Sequence, residues 1–101
     1  MSQVTHFKIK AKPGERDAVI AMFDQWQKDR RPKAKGYVRS ILTSNLKNPD
    51  EFMAGVIFDS KESYDANSNA PEQGVWYKEL RSHLASDPEW FDGKLEREFS
   101  A

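Results

Sequence analysis

The chain has 101 residues, no cysteine, and 16 basic and 16 acidic side chains, so its formal net charge is zero. That balance gives no long-range attraction to nucleic acid or anionic lipid, and the missing thiols exclude disulfides and cysteine-ligated metal centres. With 38% hydrophobic and 12% aromatic residues, the composition is that of one small globular domain over residues 1–101. No apolar run is long enough to span a membrane, and we expect a cytoplasmic protein.

Four segments have the residue pattern of β-strands. Residues 5–11 alternate apolar and polar side chains, and residues 37–43 are rich in β-branched and aromatic types. Residues 52–58 are apolar at every position, which predicts a strand with both faces covered. An alternating segment at 94–99 is polar enough for an exposed edge strand. Between the second and third strands, the Asn-Pro-Asp within residues 45–50 predicts a loop.

A first helix is predicted between Gly14 and Pro32. Its apolar residues fall at positions i, i+3, i+4 and i+7, which is the spacing of one helix face. These residues are Val19, Met22, Phe23 and Trp26. Pro32 disfavours helical geometry in the residue before it, so the helix ends there.

A second helical region follows the third strand. Asp59 or Ser60 can cap its first turn, and Pro71 interrupts it. The part after the proline has an apolar stripe at positions i, i+4 and i+8, made by Trp76, Leu80 and Leu84, and ends near residue 87.

The resulting order is β-α-β-β-α-β, which predicts an α+β, ferredoxin-like fold: a four-stranded antiparallel sheet with two helices on one face. Alternation along the first strand directs Phe7 and Ile9 toward the helices and His6 and Lys8 toward the other face. Two helices cover one face only, whereas the third strand needs cover on both. We therefore expect a homodimer in which a second copy covers the other face.

Three segments resemble the antibiotic biosynthesis monooxygenase family: KPGERDAVIAMF at 12–23, GYVRSILTS from Gly36, and VIFDSKESYDA at 56–66. The resemblance covers nearly the whole chain and implies a dimeric α+β barrel with a pocket between each sheet and its own helices. Family members include cofactor-independent oxygenases of aromatic polyketides or quinols, haem-degrading enzymes and isomerases. The three positions that carry the haem branch's asparagine, tryptophan and histidine are Phe7, Asn67 and Tyr77 here, so we expect no haem.

The pocket that the resemblance implies has six candidate substrate-binding residues: Phe7, Trp26, Tyr64, Asn67, Trp76 and Tyr77. A broad aromatic side chain such as Trp76 can stack on a planar ligand, and the Asn67 amide can orient a substrate carbonyl or peroxide. The alternatives are core packing for the aromatic residues and an ordinary helix end for Asn67. Both remain open at the level of sequence.

Other chemistry has little support in the sequence. The only histidines are His6 and His83, which are too few to build a convincing metal site, so we expect no metal. We interpret His83 as a helix-end residue. The aromatic residues Trp90 and Phe91 favour a subunit interface over a pocket mouth. No nucleotide-binding or hydrolase motif occurs.

Two functions fit these observations. The first is a cofactor-independent, monooxygenase-like enzyme that binds a small aromatic or quinol-type substrate. The enzyme would position and desolvate the substrate anion for reaction with oxygen. The second is a non-enzymatic, stress-related dimer that binds a small apolar molecule. No residue is placed by the sequence as the general base, which the first function requires.

Overall fold

The computed structural model describes all 101 residues and contains one four-stranded antiparallel sheet with its helices on one face. The strands are β1 (Gln3–Lys10), β2 (Tyr37–Asn45), β3 (Asn48–Phe58) and β4 (Glu89–Lys94). The helices are α1 (Arg16–Asp29), α2 (Lys61–Ser68) and α3 (Pro71–Ser82). The strands lie in the order β2-β3-β1-β4, which confirms the ferredoxin-like α+β fold. None of the helices is long and apolar enough to cross a membrane.

The two faces of β1 differ as the alternation predicts. Thr5 and Ile9 are buried beneath the helices, and the Phe7 ring stacks on Phe23 of α1 at a centroid distance of 6.1 Å. His6 lies on the opposite face, which we call the outer face, where its ring contacts Phe91 of β4. The register predicted for this strand is confirmed.

The core between the sheet and the helices has two parts. The larger part joins β1 and β3 to α1 and α3 through residues that are almost completely buried: Ile9, Ala11, Val19, Met22, Phe52, Leu80 and Leu84. The smaller part contains Trp26, Ala34 and Phe58. Trp76 packs against both parts and so connects them.

Pro71 separates the second helical region into α2 and α3, as predicted. Ser60 caps α2, because its Oγ accepts a hydrogen bond from the backbone N–H of Ser63 at 3.1 Å. Pro71 is the first residue of α3, where its missing N–H leaves no helical hydrogen bond unmade.

The predicted loop at 45–50 is wrong, because β2 and β3 form a hairpin with only Leu46 and Lys47 between them. The Asn45 Oδ1 accepts a hydrogen bond from the Lys47 N–H at 2.8 Å. This side-chain contact supplies the turn's hydrogen bond locally, so two residues suffice to reverse the chain. Pro49 and Asp50 therefore belong to β3.

The predicted strand at 94–99 is also wrong: β4 is Glu89–Lys94, and residues 95–101 form no strand. Trp90 of β4 pairs with Phe7 of β1 in the register of the sheet. Beyond β4 the chain leaves β1, with the Leu95 N–H bonded to the Ser2 carbonyl and Glu98 paired with Arg39 of β2. β4 is thus aligned with β1 so that Trp90 lies beside Phe7, and the alternation at 94–99 has no strand partner.

Two glycines with positive φ allow a matched prediction. Gly36 (φ +85) lies before β2, and a Cβ there would come within 2.5 Å of the Asp59 and Ser63 side chains. Gly14 (φ +80) has open space around it. We expect Gly36→Ala to lower the free energy of unfolding by about 3 kcal/mol, and Gly14→Ala by about 1 kcal/mol, the cost of the left-handed conformation alone. Urea unfolding of both variants checks this; equal losses would contradict it.

Candidate functional site

A cavity of about 930 Å³ lies between the sheet and the helices. This volume is within the range of small-molecule binding sites. The cavity is lined by all six residues that the sequence selected: Phe7, Trp26, Tyr64, Asn67, Trp76 and Tyr77. Their role in binding a substrate remains a prediction, but the fold brings them to one place.

One wall of the cavity is a chain of aromatic contacts that runs from α1 across β1 to β4. Phe7 lies between Phe23, at a centroid distance of 6.1 Å, and Trp90, at 4.8 Å. Phe23 makes an edge contact with Trp76, and Trp90 contacts Tyr77. These five residues form a surface with both face and edge contacts, which suits a flat aromatic ligand.

The other wall is a second series of aromatic rings near the start of β2. Trp26 packs against Tyr37 at a centroid distance of 5.2 Å, and Tyr37 meets Phe58 edge to face at 5.9 Å. Phe58 in turn meets Tyr64 at 5.6 Å. The Tyr37 hydroxyl and the Ser40 Oγ are 2.7 Å apart and add a polar edge to this wall.

A buried polar cluster adjoins the cavity where α1 meets α2 and α3. Arg30 donates from Nη2 to the Asn67 Oδ1 at 2.9 Å and from Nε to the Gln73 Oε1 at 3.4 Å. The same Gln73 oxygen accepts a hydrogen bond from the Trp26 Nε1 at 2.8 Å. The Asn67 carbonyl oxygen therefore already accepts one hydrogen bond, whereas its NH₂ group has no protein partner and is the freer end for a ligand.

Residues 2–79 match the sequence profile of a family described as antibiotic biosynthesis monooxygenase. The chain belongs to the antibiotic biosynthesis monooxygenase family. None of the curated proteins compared with this sequence matches it. The match covers β1 through most of α3, which includes every cavity wall except the one that β4 supplies.

Solved structures from several organisms share the fold. A protein from Mycobacterium tuberculosis superposes with a TM-score of 0.83 at 15% identity, over 99% of this chain and 100% of its own. A provisionally assigned antibiotic biosynthesis monooxygenase from Nitrosomonas europaea gives 0.82 at 12% identity, over 94% and 90%. Another from Chloroflexus aurantiacus gives 0.74 at 20% identity, over 99% and 100%. At these identities the likeness shows the fold alone.

The structure adds cavity residues that sequence reasoning missed. Trp90 faces the cavity, whereas its neighbour Phe91 lies on the outer face, so the two do not share one interface role. Asp24 and Asp92 are the carboxylates in the lining, and Asp92 accepts a hydrogen bond from the buried Thr5 hydroxyl at 2.8 Å. Correct placement of β4 would have revealed Trp90 and Asp92, since both alternate with Phe91.

Neither histidine lines the cavity. His83 follows α3, and its Nδ1 lies 2.8 Å from the Glu15 Oε1 at the start of α1. The backbone N–H of Lys12 also bonds the His83 carbonyl. His83 thus connects two helix ends, in agreement with its interpretation as a helix-end residue.

Two ionisable groups of the chain have shifted pKa values, and neither lies in the cavity. A hydrogen bond from Asn45 lowers the pKa of Glu51 in the β2–β3 hairpin, and the charge of Lys8 adds to this effect. A hydrogen bond to Asp65 raises the pKa of Lys61 on α2. Both shifts are those of exposed surface pairs.

Trp76 belongs to the core and to the cavity wall at once. Its Nε1 donates to the Met22 carbonyl of α1 at 2.8 Å, and its ring packs against both parts of the core.

We expect Trp76→Ala to lower the free energy of unfolding by about 3 kcal/mol. Trp76→Phe should recover most of that loss, because it forfeits about 1 kcal/mol for the indole hydrogen bond. Thermal and urea unfolding measure both; an unchanged stability in Trp76→Ala would contradict the core contacts.

Proposed function

We propose that this protein is a cofactor-independent monooxygenase-like enzyme whose substrate is a small planar phenol, quinol or anthrone. The observation that carries the proposal is the cavity itself, which has an aromatic wall on each side and a lining in which hydrophobic residues outnumber polar ones. Membership in the antibiotic biosynthesis monooxygenase family supports the reaction class.

Asp92 is the general base in this proposal. It lies at the β4 edge of the cavity, on the same strand face as Trp90, and the Thr5 hydroxyl fixes one of its oxygens. A carboxylate at this position can accept a proton from a ligand that packs against the exposed surface of the Trp90–Phe7 pair. The resulting substrate anion is the electron donor.

The reaction balances without a further reductant. For anthrone, loss of a C–H proton gives a carbanion, and a C–O bond to O₂ forms as electrons leave the substrate. The proton returns to give a hydroperoxide. Loss of the second C–H proton then breaks the O–O bond, so that one oxygen atom remains as the new ketone and the other leaves as water. The aromatic walls contribute orientation and exclude bulk water.

A binding protein without catalysis is the second candidate. It is favoured by the occupation of the Asn67 oxygen by Arg30 and by the absence of histidine from the cavity lining. Such a protein would retain an aromatic ligand and consume no oxygen.

Oxygen uptake with anthrone distinguishes these functions. We expect one O₂ consumed and one anthraquinone formed per anthrone, above the uncatalysed rate, and a fall of about 100-fold in kcat for Asp92→Asn because the base is lost. Asp17→Asn removes an exposed carboxylate of α1 outside the cavity and should act like wild type. Binding of anthrone without oxygen uptake would favour the second candidate.

We also propose that the protein is a homodimer joined through the outer face of the sheet. This face displays Ile41, Met53 and Phe91, which are 62%, 45% and 67% exposed in the single chain. The three residues lie on β2, β3 and β4, so apolar side chains occur on both sides of the polar His6 and Lys8 of β1. An exposed apolar patch of this kind marks an interface, and a two-fold pair of identical faces buries it most simply.

The dimer can be tested by charge substitution on this face. We expect wild-type protein to have twice the chain mass of 11.7 kDa in size-exclusion chromatography with light scattering, and Phe91→Asp to shift it toward the monomer. Val75→Asp places the same charge at a residue of α3 that is 72% exposed, and should remain dimeric. A monomeric wild type at micromolar concentration would refute the proposal.

A further inference from the structure

The amide groups of Asn67 and Gln73 have orientations that are fixed by the chemistry of their neighbours. An arginine guanidinium and an indole N–H can only donate hydrogen bonds. Arg30 and Trp26 therefore hold the Gln73 oxygen, and Arg30 holds the Asn67 oxygen. Reversing either amide would place N–H groups against N–H groups, so the reversed orientations are excluded.

The Gln73 oxygen is thereby filled by two donors and the Asn67 oxygen accepts one, so the group without a protein partner on each amide is its NH₂. Both side chains line the cavity, one from the last turn of α2 and the other from the first turn of α3. These NH₂ groups have no partner in the protein, whereas every fully buried side-chain nitrogen and oxygen of the chain has one. The NH₂ groups are therefore accessible and not enclosed by the protein. A ligand in the cavity can thus reach an amide donor on each residue, and the Gln73 oxygen has no lone pair left for it.

Arg30 strengthens these donors. Its side chain is only 8% exposed, and the nearest carboxylate, that of Glu72, lies 4.0 Å from its Nη1. A buried cation with two neutral acceptors polarises them, since hydrogen bonds that involve a charged group are stronger than neutral ones. The amide N–H groups are more attractive to an electron-rich oxygen as a result.

From this geometry we infer that Gln73 and Asn67 form a donor pair for a keto or phenolate oxygen on the aromatic ligand, with Arg30 as the positioning residue. The inference rests on the proposed function for its ligand class and assigns Gln73 and Arg30 roles that the reaction above does not contain. The ring lies between the aromatic walls, and its oxygen points to the junction of α2 and α3.

A pair of neutral ligands isolates the donor pair from simple aromatic binding. 1-Tetralone and tetralin share a carbon skeleton and differ in one keto oxygen. We expect wild-type protein to bind 1-tetralone about tenfold more tightly than tetralin in equilibrium dialysis, the worth of a well-made hydrogen bond. Equal affinity for the two compounds would overturn the inference and leave the aromatic cavity intact.

Gln73→Glu is the decisive variant. Its carboxylate still accepts from Trp26 and Arg30, so the melting temperature should not fall, but the NH₂ donor is gone. The preference for 1-tetralone should drop to about threefold or less, and the double variant with Asn67→Asp should bind the two compounds equally. Glu72→Gln removes a charge beside Arg30 without touching either donor, and should keep the preference within twofold of wild type.

Arg30→Met tests the positioning role by the same ratio of affinities. We expect the preference to fall because both amides are free to reverse, while tetralin binding is retained. If this variant is unfolded, Gln73→Glu still decides.

A preference for 1-tetralone that is unchanged in Gln73→Glu and in the double variant overturns the inference. Failure of both compounds to bind overturns it together with the aromatic site. A donor-dependent preference without oxygen uptake supports the inference and overturns only the enzymatic proposal.

Discussion

Two tryptophan hydrogen bonds join α1 and α3, one donated from each helix to the other, and the cavity depends on this pair of bonds. Trp26 of α1 donates its indole N–H to Gln73 of α3, and Trp76 of α3 donates to the Met22 carbonyl of α1. A buried indole with a satisfied N–H has a fixed ring orientation, because turning it would leave the donor without a partner. The two rings therefore hold the helices at a defined separation above the sheet, and the space between them is the cavity.

The position of Trp76 also explains how so large a cavity can lie beside a small core. The main core lies near Ile9, Phe52 and Leu84, and the smaller core lies near Phe58. Trp76 is the residue that packs against both, so the cavity opens between two packed regions and not in place of one.

Arg30 is a buried charged residue that joins the helices and orients the amide groups beside the cavity. Burial of a guanidinium is costly unless its N–H groups have acceptors. Here the acceptors are the amides of Asn67 and Gln73, one from each of two helices, so the cation joins α1 to both. In return it determines which end of each amide faces the cavity. The polarity of the site is thus set by a residue outside the cavity lining.

The sequence by itself determined the fold class, because apolar periodicity separates strands from helices and the order of elements leaves one common arrangement. It also selected six of the residues that line the cavity, and it predicted the register of β1 from simple alternation. The mistakes lay where long-range contacts outweigh local pattern. Residues 94–99 alternate well, but Trp90 pairs with Phe7 and moves β4 five residues earlier than the pattern predicts.

Only the tertiary structure decided the roles within the site. Asn67 looked like a free amide or a helix end, and the choice depended on Arg30, which is 37 residues away in the chain. Gln73 had no local signal, and Asp92 was missed because β4 was placed too late in the chain; their partners Trp26 and Thr5 lie on distant elements. Hydrogen-bond partners of buried polar groups are set by packing across the fold, whereas strand and helix patterns are set by neighbours along the chain. For that reason the sequence selected part of the cavity lining, and the folded chain alone decided which of its atoms a ligand can reach.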